Sequence, residues 1–213
     1  MSVGHKKLTP EERSEAVTRL VASAQAHQRT SVYCMDNPEA KSPNIDGLFF
    51  NVVSFELILM SLEQSMRLLL LLHFDIFRSD TAHAPNVLYK AILRESGGKS
   101  GIRKEIVDTA NTLGSARGIR AMDEKEIQKC LQKHKLSYGN FRHFQLDRHG
   151  RLNLNLGFNS RELQVIHCLA LAFIQLNMDE ISRQNLHVFT SMTKIPESEM
   201  NDERRALLKR LAG

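Results

Sequence analysis

The chain has 213 residues, of which 42% are hydrophobic and 25% charged, with a formal net charge of +5; this is globular composition, long enough for one substantial core. Its three cysteines, an odd number with no close pairing, argue against a disulfide scaffold and fit a reducing cytoplasm. No apolar stretch follows His5, Lys6 and Lys7, and the leucine-rich stretch from Leu48 to Phe77 is interrupted by Glu56, Glu63, Gln64, Arg67 and Asp75, which argues against a secretory signal and a membrane span.

Thr9-Pro10-Glu11-Glu12 announces the first helix, with Thr9 as cap, Pro10 in the first turn and Glu12 completing a capping box. Its modest apolar stripe runs through Ala16, Val17, Leu20, Val21 and Ala24 and predicts an end near Ala26. Asn37-Pro38, Ser42-Pro43-Asn44 and Asp46-Gly47 then predict a long loop over residues 28–47. From Leu48 to about Phe77 apolar residues occupy most faces of a helix, which places it at the centre of the core. Pro85 opens a short amphipathic helix closed by Gly97-Gly98, and Ser100 starts another that ends near Gly114 and Gly118. Asp123 and Glu126 frame a further start, with Ile127, Cys130, Leu131 and His134 on one face. The period then becomes alternating: Leu152, Leu154 and Leu156 interleave with Arg151, Asn153 and Asn155 after an Asp147–Gly150 turn, which predicts a small β-hairpin over 141–156. Asn159 and Glu162 cap the last core helix, through Ile181, and a short C-terminal helix is expected within 196–213. The expected architecture is mainly α, a single helical bundle over 1–213 carrying one small hairpin.

Residues 1–110 hold 13 Lys/Arg against 13 Asp/Glu, residues 111–158 hold 9 against 4, and residues 159–213 hold 7 against 7, so the excess charge has one address. Within it Lys125, Lys129 and Lys133 recur every fourth residue, opposite the apolar face of their helix, and Arg142, Arg148 and Arg151 follow with Tyr138, Phe141 and Phe144. A cationic strip beside aromatics suits a nucleic-acid backbone and its bases, while a solvated helix face has the same pattern. Ser96-Gly97-Gly98-Lys99-Ser100 lacks the earlier glycine and the preceding strand of a phosphate-binding loop. Cys130-x3-His134 offers two metal ligands one turn apart but fits no zinc spacing, and His167-Cys168 sits in an apolar helix as a core pair. No metal site or cofactor is expected.

Ser54-Phe55-Glu56, Glu63-Gln64-Ser65-Met66-Arg67-Leu68-Leu69-Leu70 and His83-x4-Leu88-Tyr89 resemble the second and third helices of HEPN-type domains. These are α-helical bundles of prokaryotic defence and stress systems, often dimeric. The resemblance covers about Leu48–Leu93, with a weaker echo at Phe141-Arg142-His143-Phe144; Ala84-Pro85 departs from the family's polar-Leu pair after the histidine. Active members carry an arginine, four to six intervening residues and then a histidine, and the match here is Arg142-x6-His149. Histidine would exchange a proton with the ribose 2′-hydroxyl and arginine would stabilise the charged phosphorane. On the predicted hairpin, however, the two lie roughly 20 Å apart, at about 3.3 Å per residue, unless a second copy of the chain supplies one of them.

The sequence thus predicts a cytoplasmic, non-catalytic HEPN-like binding module. Its expected partners are RNA, held through Lys125, Lys129, Lys133, Arg142, Arg148 and Arg151, a second copy of the chain or another protein, and no membrane. The alternative is a metal-independent endoribonuclease using Arg142 and His149.

Overall fold

Thr9 and Glu12 close the expected capping box: the Glu12 backbone N–H donates to Thr9 Oγ1 at 3.2 Å and the Thr9 N–H to Glu12 Oε2 at 3.0 Å. From it runs α1, Pro10–Asp36. The computed structural model describes residues 8–36, 45–77, 84–97, 100–134 and 159–186. In these, α1 is followed by α2 (Ile45–Phe74), α3 (Pro85–Glu95), α4 (Ser100–Ser115), α5 (Glu124–Lys133) and α6 (Ser160–Arg183). The described residues are mainly helical and contain no strand. The hairpin expected over 141–156 and the C-terminal helix expected within 196–213 lie outside them.

The first helix does not stop near Ala26. It continues to Asp36, and α2 begins at Ile45, so the loop expected over 28–47 is helical at both ends. The reason is a pair of serines on the packing stripe. Ser31 and Ser54 are both fully buried; Ser31 Oγ donates to the Ser54 carbonyl at 2.8 Å and Ser54 Oγ to the Ser31 carbonyl at 2.9 Å. Ser61 Oγ likewise donates to the Ala24 carbonyl at 2.8 Å. Small side chains let the two backbones approach, and each buried hydroxyl finds a partner.

At the other end α2 stops at Phe74, three residues short of the expected Phe77, because Asp75 takes a left-handed φ of 54° and the Ile76 N–H turns back to the Leu70 carbonyl at 3.1 Å. Ile76, 8% exposed, seals this left-handed stop with a buried side chain. Pro85 opens α3 and Gly97, at φ 56°, follows its end. Gly114 packs α4 against α6: a Cβ there would lie 3.4 Å from Cys168 Sγ.

Two apolar clusters share α2. Phe55, Ile58, Leu59, Leu62, Met66, Leu69 and Leu70 face α3–α6, where they meet Leu88, Ile92, Ile106, Ile127, Ile166 and Phe173. Leu68, Leu71 and Leu72 face Val17, Leu20 and Val21 of α1 and Ile181 of α6. A helix apolar on most faces therefore sits between two layers. Despite the interrupting charges, Val53–Phe74 and Ser160–Arg183 are long and apolar enough to cross a membrane, with 67% and 61% of their most apolar windows buried inside the bundle. They are its two central helices, α2 and α6.

Candidate nucleic-acid interface between α3 and α5

Asp123 starts α5 by accepting the Glu126 N–H at 2.7 Å. Ile127, Cys130 and Leu131 turn inward, at 0%, 6% and 2% exposure, which leaves Lys125, Gln128, Lys129 and Gln132 outward. The acids of this helix are already engaged. Glu126 receives both Nε and Nη2 of Arg161 at 2.7 Å, and Arg161 also donates to the carbonyls of Arg120 and Ala121. That fork holds the Glu126 carboxyl below its usual range, against the opposing effect of burial. Glu124 accepts the Gln128 amide at 2.8 Å.

The three lysines of the expected strip differ in their surroundings. Lys133 Nζ donates to Glu162 Oε1 at 2.6 Å, a bond between α5 and α6 that takes this cation out of the free strip. Lys125 and Lys129 have no ion-pair partner among the described residues. A third cation joins them from a helix that the charge tally placed in the neutral half of the chain: Lys90 of α3. Lys90, Lys125 and Lys129 line one groove of about 310 Å³ between α3 and α5, together with Asn86, Tyr89 and Gln132.

Beneath this groove lie two polar atoms without hydrogen-bond partners, the Tyr89 hydroxyl and Asn86 Oδ1. Tyr89 is 1% exposed and sets its ring edge-on to Phe173, with centroids 6.5 Å apart. Burial pushes its phenol pKa up, helped by the Glu124 charge and opposed by Arg103, so the hydroxyl keeps its proton. Asn86 spends its Nδ2 on Gln132 Oε1 at 3.1 Å. Unpaired buried groups of this kind cost about 1–3 kcal/mol each, so the fold carries a penalty on the floor of its cationic groove. A larger hollow of about 840 Å³ runs along the outer face of α1 past Ser14, Thr18 and Ala22, but Arg19, its one cation among the described residues, pairs with Glu15 at 2.5 Å, and Glu11 leaves the lining net negative.

A second polar cluster joins the end of α5 to the start of α6. Asn159 Oδ1 accepts the Glu162 N–H at 2.9 Å while Glu162 Oε2 accepts the Asn159 N–H at 3.0 Å, as the capping box predicts. The same Oε2 meets His134 Nε2 at 3.2 Å. Burial raises the Glu162 pKa, but the hydrogen bonds from Lys133 and Asn159 and the nearby cations outweigh it and hold the carboxyl below its usual range. His134 is 1% exposed and stands edge-on to Phe55 at 4.8 Å; burial lowers its pKa, against Glu162. The arrangement assigns the ring proton of the neutral imidazole to Nε2. Replacing Glu162 with Ala removes the acceptor of Lys133 and His134 and half of the capping box. The expected loss is about 1–2 kcal/mol in urea unfolding near neutral pH. Because the folded pKa is depressed, the contribution of Glu162 fades as pH falls through that value, and a loss that stays constant into acid would contradict the assignment.

The remaining sequence-predicted residues stand as follows. Arg142, Arg148, His149 and Arg151 lie outside the described residues. Cys130 is a core thiol, 6% exposed and pushed up to about 12 chiefly by burial, with Sγ 3.8 Å from the Glu162 carbonyl oxygen. Cys168 is fully buried against α4. Among the described residues no three His, Cys, Asp or Glu side chains gather as a metal site. Sequence reasoning missed Lys90 and Asn86. Their i, i+4 spacing on one face of a short amphipathic helix was visible, but which helix that face would meet was not. Comparison of the chain with protein-family models, with curated proteins and with solved structures finds no match.

Proposed function

We propose that the chain is a non-catalytic RNA-binding module, a HEPN-like helical frame that holds an RNA backbone along the α3–α5 groove. The observation that carries this reading is the convergence of Lys90, Lys125 and Lys129 from two helices on one groove, none with an ion-pair partner among the described residues, while Glu124 and Glu126 beside them are engaged. Three cations on a shared concavity outweigh the charge of Glu124, which the neutral Gln128 amide leaves in place, and attract a polyanion whose phosphates repeat along such a groove. The HEPN resemblance supports the frame, since Ser54-Phe55-Glu56 and the stretch from Glu63 to Leu70 fall on α2 and Leu88-Tyr89 on α3, while His83 and the echo at Phe141–Phe144 lie outside the described residues; with it come a defence or stress setting, a cytoplasmic location and a homodimer. The hairpin expected over 141–156, with Arg142, Arg148 and Arg151, would extend the cationic surface.

The test is fluorescence anisotropy with a labelled single-stranded RNA across a salt series. Three lysine–phosphate contacts contribute a slope of roughly −2 to the plot of log K against log salt, at about 0.7 per contact. Lys90→Glu, Lys125→Glu and Lys129→Glu together should abolish that part of the slope and weaken binding at low salt, while the melting temperature moves little, since surface changes stay within about 0.5 kcal/mol each. Equal binding by wild type and the triple variant would remove the groove from the reading. Cleavage of RNA in EDTA, lost in both Arg142→Ala and His149→Ala, would replace it with the endoribonuclease.

A further inference from the structure

We infer that the α3–α5 groove distinguishes RNA from DNA by taking a ribose 2′-hydroxyl between the Tyr89 hydroxyl and Asn86 Oδ1, an inference that rests on the groove reading above. The two atoms belong to residues one turn apart on α3, so they share a face of that helix. Both are buried and without partners, and their chemistry is complementary rather than redundant. Asn86 Oδ1 only accepts, whereas the Tyr89 hydroxyl donates or accepts. A phosphate oxygen would satisfy the tyrosine and be repelled by the amide oxygen. A deoxyribose C2′ offers neither group anything. A 2′-hydroxyl donates its proton to Asn86 Oδ1 and accepts the proton of the Tyr89 hydroxyl, so both needs are met by one ligand atom.

Access comes through Gln132. This side chain is exposed, lines the same groove and is held by Asn86 Nδ2 at 3.1 Å. Ligand entry requires that its rotation away from Asn86 expose the floor, which leaves Asn86 Nδ2 to solvent while the ligand meets Oδ1. Lys90, Lys125 and Lys129 hold the phosphates on either side. Tyr89 thus combines two separable roles: its ring belongs to the core against Phe173, and its hydroxyl belongs to the ligand.

The experiment measures anisotropy of labelled oligouridine and the matching oligodeoxyuridine, about 12 nucleotides each, at low salt. Wild type should bind the ribo-oligomer about tenfold more tightly, the usual worth of one or two net hydrogen bonds. Tyr89→Phe and Asn86→Ala should lower that ratio towards one, with the larger loss on the ribo-oligomer, and Gln132→Ala should retain it. Tyr89→Phe should melt at the same temperature as wild type or higher, because it deletes an unpaired buried hydroxyl; its fold is thereby checked in the same protein. If wild type binds both oligomers equally and the triple lysine variant binds neither, the 2′-hydroxyl inference falls and the groove reading stands. If a strong ribo preference survives Tyr89→Phe, the inference also falls. If neither oligomer binds, or the lysine variant binds as wild type does, the groove reading itself fails.

Discussion

Glu56→Gln is expected to raise the unfolding free energy by about 3 kcal/mol near pH 8 and to leave it almost unchanged near pH 4. Glu56 is 4% exposed on α2 and its Oε2 has no hydrogen-bond partner. Burial raises its pKa from the ordinary 4.5 to about 7, because the charged form has lost its water without gaining a counter-charge. Below about pH 4.5 the carboxyl is protonated in both states, and the folded protein carries no electrostatic cost. Between that value and about pH 7 the unfolded chain ionises first, so stability falls as pH rises, by about 1.4 kcal/mol per unit. Above pH 7 the full cost is in place. Glutamine keeps the shape and never ionises, so urea titrations of the two proteins should coincide in acid and separate through this window. A difference independent of pH would refute the assignment. Glu63, seven residues along the same helix and fully buried, has a cation beside it, for Arg67 Nε donates to its Oε1 at 2.9 Å.

Leu69→Ala should cost about 2–5 kcal/mol. Leu69 is fully buried in the larger apolar cluster, on the face of α2 that meets α3, α4, α5 and α6. Full burial in a cluster drawn from five helices leaves the cavity of a smaller side chain little room to collapse, which places the loss in the upper part of that range. Val87→Ala on α3, 41% exposed, should change stability by less than about 0.5 kcal/mol. Chemical denaturation of the two variants checks the pair, and a small effect at Leu69 would displace α2 from the centre of the bundle.

The parts of this fold that were legible in the sequence are those written locally. Thr9/Glu12, Asp123/Glu126 and Asn159/Glu162 all cap as their spacing predicts, since a cap is settled within one turn. The apolar stripes of α3, α5 and α6 likewise announced which faces turn inward. The final third of α1 was illegible because Ser31, a polar letter, occupies a core position; only its bonds to Ser54 on another helix make that burial tolerable. The candidate site failed to show for the same reason. Lys125, Lys129 and Lys133 look equivalent along the chain, yet Lys133 is claimed by Glu162 from α6. Lys90 lies in a segment with balanced charge and enters the groove only because α3 packs beside α5. Periodicity fixes the direction of a side chain about its own helix, and it holds no information on the neighbour that face will meet.

One carboxylate oxygen holds both borders of residues 135–158. Glu162 Oε2 contacts His134 on the near side and the Asn159 N–H on the far side, so the two described residues that flank this span are held at a single point. Loop-closure entropy then governs what may be inserted there: once the ends are pinned, each doubling of length costs only about 0.6 kcal/mol. With its two flanking residues already joined through one carboxylate, the length of chain between His134 and Asn159 is only weakly constrained by the entropy of closing it.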